Sequence, residues 1–153
     1  MAASRKYQPS KIFTIEEANA MLPLVRAITT DMVRLAQELL GRQQRLQVLL
    51  AGREVKAGDP YSDELAQIEE QFEKDARQLH AYAKELIDLG VEPKSATDGL
   101  VDFPSFVDGH LVYLCWKLDE PEVLHWHELD AGYTGRQPLT VESCAPSDSH
   151  FES

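Results

Sequence analysis

Apolar side chains recur every three or four residues at Ala18, Leu22, Val25, Ile28, Met32, Leu35, Leu39, Leu46 and Leu49. That spacing gathers them on one stripe of an α-helix and scatters them over both faces of a strand. A second stripe at the same spacing follows at Leu65, Ile68, Phe72, Ala76, Leu79, Tyr82/Ala83 and Leu86. The polar break between them, Gly52 to Pro60, contains Gly58-Asp59-Pro60. Two long stripes and a short break predict two amphipathic helices, about residues 15–50 and 62–89, paired as a long antiparallel, coiled-coil-like hairpin.

The predicted helix ends have local causes. Thr14-Ile15-Glu16-Glu17 reads as a capping box, in which Thr14 and Glu17 each satisfy the other's amide. Glu16 and Glu17 also suit the positive end of the helix dipole. Pro23 falls inside the first stripe and is expected to kink the helix or end a short first piece. Gly41 costs about 1 kcal/mol relative to Ala, and Arg42 takes a seam position. Asp59 or Ser62 can cap the second helix, with Pro60 in its first turn. Gly90 suits a left-handed C-cap, and Pro93 prevents continuation. One hairpin buries only a narrow seam on each helix. The remainder requires the C-terminal third or a second copy of the chain, so a homodimer through the long helices is expected.

From Asp98 the period changes. Leu100 to Val107 and His110 to Leu118 are rich in β-formers and flank Asp108-Gly109, a strong short hairpin signal. Pro104 places the first of these strands at an edge or a bulge. Asp119-Glu120-Pro121-Glu122 reads as a second turn, and Val123 to Leu129 as a third strand. The expectation is an α+β fold in which a small three-stranded antiparallel meander, about residues 100–129, packs on the helical hairpin. Residues 1–12 read as a flexible leader, 13–139 as a single domain, and 140–153, rich in Ser, Pro, Asp and Glu, as a disordered tail.

Composition narrows the function classes. The net charge is −11, but residues 1–58 hold nine Lys/Arg against five Asp/Glu, and residues 59–90 hold three against nine. A mildly basic first helix beside an acidic second one accounts for the split. The acidic total disfavours nucleic acid, whose phosphates need clustered cations. No apolar run approaches the roughly 18 residues of a membrane helix. The start, Met1-Ala2-Ala3-Ser4-Arg5-Lys6, lacks the apolar core of a signal peptide, which makes the cytoplasm the default expectation. Cys115 lies in an apolar run and Cys144 in a polar one, so a structural disulfide is not expected.

The densest chemistry is in Leu124-His125-Trp126-His127-Glu128-Leu129-Asp130-Ala131-Gly132-Tyr133-Thr134-Gly135-Arg136. Phe13-Thr14-Ile15-Glu16-Glu17-Ala18-Asn19-Ala20-Met21-Leu22-Pro23, Gly99-Leu100-Val101-Asp102-Phe103-Pro104, Tyr113-Leu114-Cys115-Trp116, Glu120-Pro121-Glu122, Trp126 to Tyr133, and Gly135-Arg136 follow one another along the chain. In this order the blocks resemble the bacterial DUF2203 family. The resemblance spans about residues 13–139. That family is a domain of unknown function, so the resemblance implies common descent and no activity. It also implies that His127, Glu128, Asp130 and Arg136 belong to a shared motif.

Strand alternation puts His125 and His127 on one face, with Trp126 and Glu128 on the other. An H-x-H pair on one face can converge on a divalent transition metal. Asp130, Asp102, or Glu16/Glu17 would supply a third ligand. The plainer alternative is a partly buried His127 bonded to a carboxylate or carbonyl, with His125 at the surface. Asp102, in an apolar strand, either points to solvent or pairs with Arg136 or a histidine. Gly132 and Gly135 permit a tight loop that returns Arg136 onto Glu128 or Asp130 as a clamp. Alternatively, Arg136 beside His127 could hold a small anion, walled by Trp126, Tyr133 and Trp116. A His/Glu pair can move protons, yet no nucleophile elbow, P-loop or dinucleotide fingerprint accompanies it. Cys115 reads as core, and His80 and His110 receive no role. Two function classes follow. One is a non-enzymatic interaction or scaffold module that self-associates. The other is a metal- or small-anion-binding protein, enzymatic or not, with its site in the Trp126–Arg136 motif.

Overall fold

The computed structural model describes residues 9–51 and 60–139. Helix α1 is Ile15–Leu50 and α2 is Pro60–Asp88. Five strands follow: β1 Glu92–Ser95, β2 Leu100–Val107, β3 His110–Lys117, β4 His125–Glu128 and β5 Gln137–Pro138. They form one antiparallel sheet in the order β1-β2-β3-β4-β5. No helix among the described residues is long and apolar enough to cross a membrane. The leader before residue 9, the tail after 139 and Cys144 lie outside the described residues.

The start of α1 and the end of α2 form as their residues dictate, while Asp59, expected among the caps of α2, and the break before it lie outside the described residues. The Thr14 amide donates to Glu17 Oε1 at 2.9 Å, and the Glu17 amide donates to Thr14 Oγ1 at 3.0 Å. Pro23 does not end α1, which runs through it unbroken for 36 residues, about 54 Å at 1.5 Å per residue. Gly90 has φ +90°. Its amide donates to the Ile87 carbonyl, and that of Val91 to the Leu86 carbonyl. These are the paired bonds of a Schellman cap, with Leu86 and Val91 both buried. Arg42 bridges from α1 to Asp75 on α2, and its guanidinium holds the Asp75 carboxyl below the usual carboxylate range.

The sheet has five strands where three were expected. The third expected strand also begins later, at His125 instead of Val123. Both additional strands are short edges. Glu92-Pro93-Lys94-Ser95 has no apolar alternation and shifts register between Pro93 and Ser95, while Gln137-Pro138 is two residues long. Backbone pairing with a neighbour makes them strands, and an edge needs no apolar face of its own. The Asp108-Gly109 turn is as expected, with φ +51° and +80°, the left-handed pair a two-residue hairpin requires.

Alternation gives the sheet two unlike faces. Val101, Phe103, Val107, Val112, Leu114, Trp116 and Trp126 share one face and form a single core with Phe13 and with Leu22, Val25, Ile28 and Met32 of α1. Each such large side chain contributes roughly 1.5–3 kcal/mol when fully buried. Gly99 lets the sheet come this close, since a Cβ there would stand 2.8 Å from Leu118 Cβ and 3.1 Å from Val33 Cγ2. The other face carries Asp102, Tyr113, Cys115, His125 and His127.

Candidate functional site

The outer face is assembled by register. Asp102 on β2 sits opposite Cys115 on β3; Cys115 sits opposite His125, and Tyr113 opposite His127, both on β4. Directly opposed residues project to the same side. After Glu128 the chain turns back over this face. Gly132, at φ +70°, and a single 3₁₀ turn at Tyr133–Gly135 fold Leu129–Tyr133 over it before β5 rejoins β4. The result is a cavity of about 270 Å³. Asp102, Cys115 and His127 form its floor, with Lys94, Tyr113 and the 129–133 loop around them.

The floor is dry. Asp102, Cys115 and His127 are each only 2% exposed. His127 Nδ1 lies 2.7 Å from the Glu128 carbonyl oxygen, and Nε2 lies 3.1 Å from both oxygens of Asp102. A carbonyl oxygen can only accept, so Nδ1 carries a proton and Nε2 is the nitrogen presented to the carboxylate. Burial pushes the Asp102 carboxyl above the usual range, against the opposing pull of His127. Burial, reinforced by Asp102, pushes the Cys115 thiol up to about 12. Beside them Tyr113 donates to Glu92 Oε1 at 2.8 Å, and burial with that carboxylate raises its phenol. Lys94 Nζ reaches the same Glu92 oxygen at 3.1 Å and lies 4.5 Å from the Tyr113 ring centre.

Further along the same face is a second polar group. Arg136 Nη2 stands 2.6 Å from each oxygen of Glu120 and 3.0 Å from His125 Nδ1. Glu120 is itself fixed, because its Oε1 accepts from the Lys117 amide. Burial works against the Arg136 charge, but Glu120 outweighs it and leaves the guanidinium more firmly protonated than usual. The Tyr133 ring lies 4.6 Å from the guanidinium carbon.

These positions revise several expectations. His125 and His127 do share a face but do not converge. His125 faces a guanidinium, which repels a metal ion, while His127 faces Asp102. Arg136 clamps Glu120 and not Glu128 or Asp130. Because β5 runs back beside β4, Arg136 arrives level with His125, where the β3–β4 turn delivers Glu120. Glu128 emerges on the opposite face and meets His110 at 3.3 Å, both half exposed. Asp130 is exposed on the cavity rim. Of the expected aromatic walls, Tyr133 lines the cavity, whereas Trp126 and Trp116 are buried on the helix side. Glu17 is committed to its cap. Of the open alternatives for Asp102, the histidine pairing is the one that forms.

Sequence reasoning places Cys115 in the core and gives Tyr113 and Lys94 no role. A signal for Cys115 is nonetheless present. A two-residue Asp108-Gly109 turn pairs Val107 with His110, and counting five residues outward from each places Cys115 opposite Asp102. Lys94 has no such signal, because β1 is visible only through its pairing.

No curated protein and no solved structure matches the chain. A family model described as an uncharacterized conserved protein, DUF2203, matches residues 11–139, which include both helices, all five strands and every residue of the cavity floor, and the chain therefore belongs to the DUF2203 family.

Proposed function

We propose that this is a small-ligand-binding protein whose site is the cavity on the outer face of the sheet. The supporting observation is the Asp102–His127 pair on the cavity floor. A carboxylate and an imidazole taken out of water cost several kcal/mol, and two apolar residues of similar volume would fold as well or better. Paired ionisable groups at the base of a cleft, with a carboxyl displaced from its ordinary titration, are the pattern binding and catalytic sites use. The Arg136–Glu120–His125 group holds the covering loop in place. It occupies the Arg136 guanidinium, so the small-anion reading, which relied on Arg136, loses its main support.

A stability screen tests this reading on the full chain. The panel comprises small carboxylates, inorganic phosphate and divalent transition-metal ions. A ligand at 100 times its dissociation constant adds about 2.7 kcal/mol, an easily read rise in unfolding midpoint. The expected outcome is a rise with one class that Asp102→Asn abolishes and Tyr133→Ala weakens. No rise with any class, or a rise indifferent to Asp102→Asn, sinks the reading.

A second reading, compatible with the first, treats the two helices as a hairpin that pairs with a second copy of the chain and serves as an interaction scaffold. Two observations favour it. In α2 only Leu86 is buried among the described residues, and α1 has no buried residue beyond Leu39. The distal parts leave Leu40, Val48, Leu49 and Ile68 exposed. A two-fold axis would set α1 of each copy against α2 of the other, joining apolar to apolar.

A further inference from the structure

We propose that Asp102, Cys115 and His127 bind one divalent transition-metal ion of the Zn²⁺ class, with a fourth coordination position facing the cavity. The inference rests on the cavity being the functional site, and it names the ligand.

Geometry supports it first. Each of the three residues offers one donor atom, and the three atoms lie within 4.8 Å of one another. They come from β2, β3 and β4, three adjacent strands whose register is fixed, so the set is held by sheet and not by loop. Two light donors on a tetrahedral Zn²⁺ stand about 3.4 Å apart, and a thiolate about 3.6 Å from either. The 3.1 Å separation of His127 Nε2 from the Asp102 oxygens is close to that spacing. Both oxygens are equidistant from Nε2, and both contacts exceed the roughly 2.7–2.9 Å typical of a charge-assisted N–H···O bond.

The orientation of His127 is the second support. Metal-bound histidines usually donate their other ring N–H to a carbonyl or carboxylate, which fixes the tautomer and aims the lone pair. The Nδ1 contact to the Glu128 carbonyl at 2.7 Å does this, leaving Nε2 as the inward donor. His125, the other histidine on this face, is taken by Arg136 and Glu120.

Donor chemistry selects the ion. One sulfur, one imidazole nitrogen and one carboxylate oxygen suit Zn²⁺ and its neighbours; Mg²⁺ and Ca²⁺ require oxygen shells. On binding, two protons pass to water: the one held between His127 Nε2 and the Asp102 carboxyl, and that of the Cys115 thiol, as the nitrogen–metal, oxygen–metal and sulfur–metal bonds form. One carboxylate, one thiolate and a neutral imidazole balance the two positive charges, so the buried centre is neutral overall. Three protein ligands with the remaining position toward a cavity is the pattern of a reactive zinc site, in contrast to a closed structural one.

Co²⁺, a spectroscopic stand-in for Zn²⁺, provides the test. The full chain carrying Cys144→Ser, which leaves Cys115 as its single thiol, is stripped with chelator and titrated with Co²⁺. The expected result is one equivalent bound, with intense visible bands of tetrahedral Co²⁺ and a near-ultraviolet thiolate-to-cobalt charge-transfer band. Zn²⁺ should displace both, and His127→Gln should weaken binding at least about tenfold. No saturable binding overturns the assignment, as do pale octahedral bands without charge transfer, which would mean surface carboxylates alone. If a carboxylate or phosphate still stabilises the protein through Asp102 while Co²⁺ fails, the metal assignment falls and the cavity reading stands. If neither binds, both fall.

Discussion

At the scale of single residues, the Asp102–His127 pair makes the sharpest claims. Removing one partner of a buried pair leaves the other desolvated, and His127→Ala is expected to cost about 3–5 kcal/mol of unfolding free energy near neutral pH. The double change Asp102→Leu with His127→Leu should recover most of that loss in urea unfolding, because no buried charge remains. If the double variant is as unstable as the single, the stranded carboxylate is not what destabilises His127→Ala. The pH dependence has a definite sign. A carboxyl raised in the folded state favours folding when protonated, and that contribution is lost as pH rises through the folded value. With His127 removed, Asp102 also loses a group that pulls it down. The His127→Ala penalty should therefore be smaller at about pH 5 than at about pH 8, measured by parallel denaturant titrations. Arg136→Ala removes both contacts to Glu120 and is expected to cost about 1.5–3 kcal/mol. A change under about half a kcal/mol, the range of ordinary surface substitutions, would remove Arg136 as the fastening of the loop.

At the scale of elements, the junction between α2 and β1 sets up the site. The Schellman cap at Gly90 turns the chain so that Glu92 and Lys94 arrive beside Tyr113 at the cavity wall. Any L-residue at φ +90° is strained, and a Cβ at Gly90 would stand 2.8 Å from Lys11 Cβ. Gly90→Ala is therefore expected to destabilise by about 1–3 kcal/mol, with far-ultraviolet circular dichroism unchanged at low temperature. Thr14→Ala should cost about 1 kcal/mol through the cap alone. An equal loss from both would show that the Gly90 junction is no tighter than an ordinary helix end.

At the scale of the whole molecule, the division of labour is between a sheet that builds a site and helices that exceed what the sheet covers. The last quarter of α1 holds no buried residue, and α2 holds only Leu86 among the described residues. Replacing Val48 and Leu49 with Lys and Ile68 with Glu should leave the thermal midpoint of the sheet and its core little changed. If a second copy covers the distal seam, light scattering should then report a shift from dimer to monomer. Identical masses for both proteins, or a monomeric parent at micromolar concentration, would remove the scaffold reading and leave the cavity untouched.

The sequence by itself determined the parts whose causes are local. The capping box, the extent of both helices, the Gly90 cap and the Asp108-Gly109 hairpin each depend on residues within a few positions of one another. Strand alternation also placed His125 and His127 together on one face of their strand, and the packing of the helices decided that this face is the outer one. Only the tertiary structure decided the partners. Glu92–Ser95 became a strand through pairing with β2, against its own propensity. Arg136 met Glu120 because β5 folds back along β4. Cys115 joined Asp102 and His127 because three strands lie in one register beneath a loop. Long-range pairing is a sum of many weak contacts across the chain, and no short stretch of residues carries that sum.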